Sequence, residues 1–169
     1  MRWAAYAILV YVAIGIQIGV VEFARLGGSG ARPDLVLLAV IFIAVNAPRD
    51  QALLGAFGIG LIADLVTVGP LGLFALAYSM VGMFVVSTQE LVYKAHPVTH
   101  FALGLAGGLI AGAMVLIHGW VRGPSVSVTG VLGSALYTAL LAPVVLGLLH
   151  LIRGAFAFQS RRRARSHSF

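Results

Sequence analysis

The sequence predicts an all-α, polytopic membrane protein built as a single bundle of six transmembrane helices. Three observations carry that prediction. Six apolar runs, most of them near the length that crosses a bilayer, fill almost all of the 169 residues. Hydrophobic residues make up 60% of the chain and charged residues 9%, with a mean hydropathy of +1.03, far from a soluble balance. The connections are short, so no segment is left that could fold as a water-soluble domain with its own core. No water is available at bilayer depth, so each run must close its backbone hydrogen bonds internally as a helix. The predicted organisation is a bundle over 1–152 and a basic tail over 153–169.

The first run, Trp3–Phe23, carries Gly15 and Gly19 at GxxxG spacing, a face that lets backbones approach closely. Arg2 and the small residues Ser29-Gly30-Ala31 give it a superficial likeness to a signal peptide. The run is long for a signal core, and Glu22 and Arg25 separate it from those small residues, so it reads as an uncleaved helix. The second run, Pro33–Asn46, opens on a proline whose missing N–H would be unpaired in a first turn anyway. Asn46-Ala47-Pro48-Arg49-Asp50 closes it after roughly 14 residues, or about 21 Å, short of the ~30 Å hydrocarbon core.

The third run, Gln51–Val68, ends where Gly69-Pro70 turns the chain into the fourth. Short, glycine-punctuated segments suit helices packed among others or a locally thinned bilayer, with a re-entrant hairpin as the competing reading. Asp64 stands out within this run, because an ionised carboxylate in hydrocarbon costs about 2.5–3.5 kcal/mol. Ala52, Ala56 and Gly60 precede it at i, i+4 spacing, so it shares a small-residue face and points into the bundle, about one turn below the outer rim. Its expected partners are the outer-side cations Arg25, Arg32 and Arg122. A structural ion pair or polar knot is the plainer role and a partner- or ligand-binding role the sharper one, with proton relay behind both because a relay needs more than one titratable group in the membrane.

The fourth run is Leu71–Glu90, the fifth Val98–Val121 and the sixth Val128–Ile152. The fifth bears a tandem seam at Gly104, Gly108 and Gly112, and the sixth aligns Gly130, Ser134, Thr138 and Ala142 before a kink expected at Pro143. Packing within the bundle is the default for such seams, and docking of another protein's helix the alternative.

Charge placement orients the chain. Six spans put both termini on one side, which collects Arg2, Arg49, Lys94, Arg153, Arg161, Arg162, Arg163 and Arg165, eight of the eleven Lys and Arg. The positive-inside rule then places both termini in the cytoplasm. The net charge of +6 mostly reflects the tail. Cations just beyond a last span meet anionic headgroups, so Arg161, Arg162, Arg163 and Arg165 are read as membrane-surface anchors and not as a nucleic-acid site.

Reactive constellations are not evident. The chain has no cysteine, which excludes disulfides and thiolate chemistry. The histidines are scattered, with His96 and His100 in the cytoplasmic turn, His118 near the outer end of the fifth run, and His150 near the inner end of the sixth. His96 and His100 have no evident third ligand, so no metal is expected. No catalytic triad, phosphate loop or carboxylate pair is present, and no cofactor or enzymatic activity is implied.

The stretches Arg32-Pro33-Asp34-Leu35, Gly58-Ile59-Gly60-Leu61-Ile62-Ala63-Asp64-Leu65 and Gly69-Pro70-Leu71-Gly72-Leu73, with Tyr78, resemble the MreD family of bacterial rod shape-determining membrane proteins. Size, helix count and the near absence of soluble loops are similar too. The resemblance implies an inner-membrane scaffold of the cell-elongation and peptidoglycan-synthesis machinery. It implies MreC as partner and, through it, MreB filaments, RodA and its transpeptidase. It carries over Pro33, Gly60, Asp64, Pro70 and Gly72 as motif positions without individual roles. With Arg32, the residues Gly60, Asp64, Pro70 and Gly72 make up the candidate partner or ligand site. The family is also similar in architecture to the substrate-binding subunits of energy-coupling-factor transporters. A vitamin-type solute-binding subunit is therefore the rival function, and a lipid-modifying enzyme a weaker one.

Overall fold

The computed structural model describes residues 3–19, 31–67, 70–88, 96–122 and 127–151. They form six α-helices: α1 (Trp3–Gly19), α2 (Leu35–Asn46), α3 (Arg49–Val66), α4 (Leu73–Thr88), α5 (Pro97–Arg122) and α6 (Val128–Leu151). Of these, α5 and α6 are long and apolar enough to cross a membrane, and α1, α2 and α4 are shorter apolar helices.

Helix α2 is the axis of the bundle. Every residue from Val36 to Val45 is buried, none more than 6% exposed, and the other five helices surround it. That explains its uninterrupted apolar sequence, since a helix covered on all sides has no face to give to polar residues. Around it pack two hairpins, α3–α4 and α5–α6, joined along α4 and α5, with α1 lying against α2. Their contacts are close because small residues meet. A Cβ on Gly82 of α4 would lie 2.7 Å from that of Ala56 on α3, and one on Gly104 of α5 equally close to that of Ala142 on α6. Gly108 faces Ala135 and Gly112 faces Val131 along the same α5–α6 seam. Gly15 and Gly19 differ: they are exposed, and an added Cβ would meet nothing within 4 Å. Helix α6 runs unbroken through Pro143.

Several helix ends depart from the apolar runs. Pro33 does not open α2. Asp34 is the N-cap and the helix starts at Leu35, because a carboxylate that can take the Leu37 N–H fixes the boundary one residue beyond the proline. Helix α3 starts at Arg49, so two charged residues form its first turn. Leu71 and Gly72 are not helical but make the turn that leads into α4. Pro97 is the first residue of α5, and the carbonyl of His96 before it accepts the Thr99 and His100 N–H groups. His100 therefore sits inside α5, not in the preceding turn. Residues Val20–Phe23, Val68, Gln89, Glu90 and Ile152 of the expected runs, Gly69 of the expected turn, Arg25, and the whole basic tail lie outside the described residues.

Candidate functional site

One end of the bundle is closed by two aspartates, each held by hydrogen bonds from other elements. Asp34 caps α2, its Oδ1 accepting the Leu37 N–H at 2.9 Å. Its Oδ2 accepts the Tyr78 hydroxyl of α4 at 2.9 Å, and its backbone N–H donates to Thr138 Oγ1 of α6 at 2.9 Å. The Thr138 hydroxyl in turn donates to the Ser134 carbonyl at 2.8 Å, one helical turn back. On the opposite side Gln17 of α1 uses both ends of its amide. Its Nε2 donates to the Pro33 carbonyl at 3.1 Å, and its Oε1 accepts the Leu35 N–H at 2.8 Å. Arg32 is exposed, its backbone N–H donating to Ser134 Oγ at 3.1 Å and its charge acting on the Asp34 carboxylate. The stretch from Arg32 to Leu35 thereby ties α1, α4 and α6 to the start of α2.

Asp64 lies in the last turn of α3 and is 3% exposed. Its Oδ2 accepts the backbone N–H groups of Gly72 at 3.0 Å and Ala75 at 2.9 Å, and its Oδ1 that of Phe74 at 2.9 Å. The Phe74 and Ala75 donors belong to the first turn of α4, where no intrahelical carbonyl is available to them. A carboxylate there also meets the positive end of the helix dipole. The acid on the membrane packing face is thus an inter-helix cap, and what holds it is backbone N–H where an arginine partner was expected.

The neighbouring motif residues make this contact sterically feasible. Gly60, one turn before Asp64, lets α3 lie directly against the start of α4, since a Cβ there would fall 2.5 Å from Ala75 Cα and the Phe74 carbonyl oxygen. Gly72 has φ +97°, the left-handed region that side-chain-bearing residues avoid. Pro70 begins the turn, its carbonyl accepting the Leu73 N–H at 3.4 Å. Gly60, Asp64, Pro70 and Gly72 are therefore parts of one clasp. Arg32 belongs to the adjoining Asp34 knot, which Tyr78 reaches from α4.

Asp34, Tyr78 and Thr138 were not singled out by sequence as site residues. The cue for Asp34 was its place directly before an apolar run, the usual position of an N-cap. Gly104, Gly108 and Gly112 lie on the α5–α6 seam, away from this site, and Gly15 and Gly19 on the open face of α1. Arg161, Arg162, Arg163 and Arg165 fall outside the described residues.

At the other end, a cavity of about 10 Å³, room for one water, lies between Phe42 and Asn46 of α2, His100 of α5 and His150 of α6. The two imidazoles that sequence left scattered meet here, ring centroids 5.8 Å apart, with Phe42 edge-on to His150 at 6.1 Å. Among the described residues no group of three His, Asp or Glu converges on a metal-sized site.

The arrangement ties the helix ends to one another. Both carboxylates are engaged with the protein itself, and so are Ser79 and Thr67, whose hydroxyls donate to the Ala75 and Ala63 carbonyls. A family model described as rod shape-determining protein MreD matches residues 1–153. No curated protein and no solved structure matches the chain.

Proposed function

The chain belongs to the MreD family of rod shape-determining membrane proteins, and from that membership we propose that it is a non-enzymatic scaffold of the bacterial cell-elongation machinery. The bundle crosses the cytoplasmic membrane six times with both termini in the cytoplasm, as the cation distribution favours. It binds MreC, and through MreC works with MreB, RodA and its transpeptidase in peptidoglycan synthesis. The family match over residues 1–153 is the observation that carries this reading.

Two features of the bundle, one inside and one on its surface, support a scaffold over a solute-binding subunit. A vitamin-sized ligand needs a cavity of about 300 Å³ or more with convergent polar groups. Here Gln17, Asp64, Thr67, Ser79 and Thr138 instead bond to the protein's own backbone. The open GxxxG strip on α1 suits a single partner helix, because Gly15 and Gly19 leave room for backbone-to-backbone approach. Its apolar surroundings, with Ile8 65% and Tyr11 81% exposed, complete such a face.

The test is purification of the tagged full chain from its native membrane in mild detergent, with partners identified by mass spectrometry. Co-enrichment of MreC and peptidoglycan synthases is the expected result. Enrichment of an ATPase module and its coupling membrane subunit without MreC would establish the transporter reading instead.

A further inference from the structure

We propose that the bundle straddles a step in bilayer thickness, its α3–α4 flank lying in thinner membrane and selecting shorter acyl chains than its α5–α6 flank. The inference rests on the bundle crossing the bilayer and goes beyond the scaffold role.

Helix length carries the argument. Helices α5 and α6 have 26 and 24 residues, whereas α3 and α4 have 18 and 16. At about 1.5 Å per residue these are roughly 39 and 36 Å against 27 and 24 Å. The outward-facing apolar rows differ even more. On α6 exposed apolar residues run from Val128 to Leu151, and on α5 from Val98 to Val121, each row about 35 Å long. On α3 the row extends from Leu54 to Val66, about 18 Å, and stops at exposed Arg49 and Asp50 on one side and exposed Thr67 on the other. On α4 and the turn before it the exposed apolar residues run from Leu71 to Phe84, about 20 Å, before exposed Ser87. One flank matches or exceeds the ~30 Å hydrocarbon core and the other falls well short of it.

Tilt does not remove the difference. Projecting a ~36 Å helix onto ~24 Å needs a tilt of about 48°, outside the usual 0–40° range. Nor can the hairpins separate vertically, because Gly107 of α5 seats against Val81 of α4 and Ile41 of α2. Helix α2, with 12 residues, is exempt because it meets no lipid. What remains is for lipid to adapt, thinning beside α3 and α4, where shorter chains match better.

The test reads each flank separately. Trp3→Phe and Trp120→Phe remove both native tryptophans. A single reporter is then placed at Phe57→Trp on α3 or at Leu140→Trp on α6, positions 50% and 61% exposed. Each full-length variant is reconstituted into phosphatidylcholine vesicles with chains from about 14 to about 22 carbons, and quenching by a brominated lipid of fixed length is competed against them. The α3 reporter is expected to show its optimum at a shorter chain than the α6 reporter, with a roughly two- to tenfold preference for the short lipid. If Phe57→Trp does not fold, Met80→Trp on α4 replaces it. Identical optima on the two flanks overturn the thickness step while leaving the membrane reading intact. Absence of quenching at both reporters overturns the membrane reading and the proposal with it.

Discussion

At the residue scale, the aspartates show how an acid is tolerated in an apolar bundle. Asp64 takes three backbone N–H groups that would otherwise lack acceptors. Asp64→Ala strands all three in a buried site, and the expected loss is about 3 kcal/mol or more. Asp64→Asn keeps the shape but turns an amide NH₂ toward one N–H donor, so the expected loss is smaller, about 1–2 kcal/mol. Equilibrium unfolding of the purified variants in detergent measures both, and equal stability of Asp64→Ala and wild type would refute the cap. Gly72→Ala forces a side chain into φ +97°, for which about 1–2 kcal/mol of destabilisation is expected in the same assay. The Asp64 face was legible in the sequence, because Ala52, Ala56 and Gly60 share it at helical spacing and all are buried. Its partners were not legible. A charged side chain invites pairing with a charged side chain, and backbone donors carry no signature in composition. The one hint was the chain reversal expected at Gly69-Pro70, between the third and fourth runs.

At the element scale, hydropathy located the helices and capping chemistry set their ends. Starting the second run at Pro33 put Asp34 inside the helix, whereas its carboxylate claims the boundary as the N-cap. The run beginning at Leu71 could not reveal a turn at Gly72. The small-residue seams, indistinguishable by sequence, divide into two kinds. Gly104, Gly108 and Gly112 are filled by α6, whereas Gly15 and Gly19 are open. Leucine at the two kinds of site should therefore act differently. Gly108→Leu drives a side chain into Ala135 and is expected to destabilise the bundle by several kcal/mol, about 1–3 or more by the usual cost of overpacking. Gly15→Leu is expected to leave unfolding unchanged and to lower MreC recovery on co-purification. Normal recovery with Gly15→Leu would remove α1 as the docking face.

At the scale of the whole molecule, the number and order of helices followed from the spacing of the apolar runs, and the central place of α2 did not. Its unbroken apolarity was the available cue, because a helix polar nowhere must be covered everywhere. Orientation rests on cation counting, and the absence of native cysteine makes it directly measurable. In intact spheroplasts, a membrane-impermeant maleimide is expected to label Ser127→Cys, between α5 and α6, and to spare His96→Cys, before α5. Labelling in the reverse pattern would invert the topology.

The span of chain separating each aspartate from its partners sets an order of assembly during synthesis. Asp64 finds its donors 8, 10 and 11 residues downstream, whereas Asp34 waits 44 residues for Tyr78 and 104 for Thr138. Once α4 is made, all three donors that Asp64 uses are already in the chain, before α5 exists. The top of α2 stays unfinished until α6 is made. The sixth helix is thus the one that completes the cap on the second.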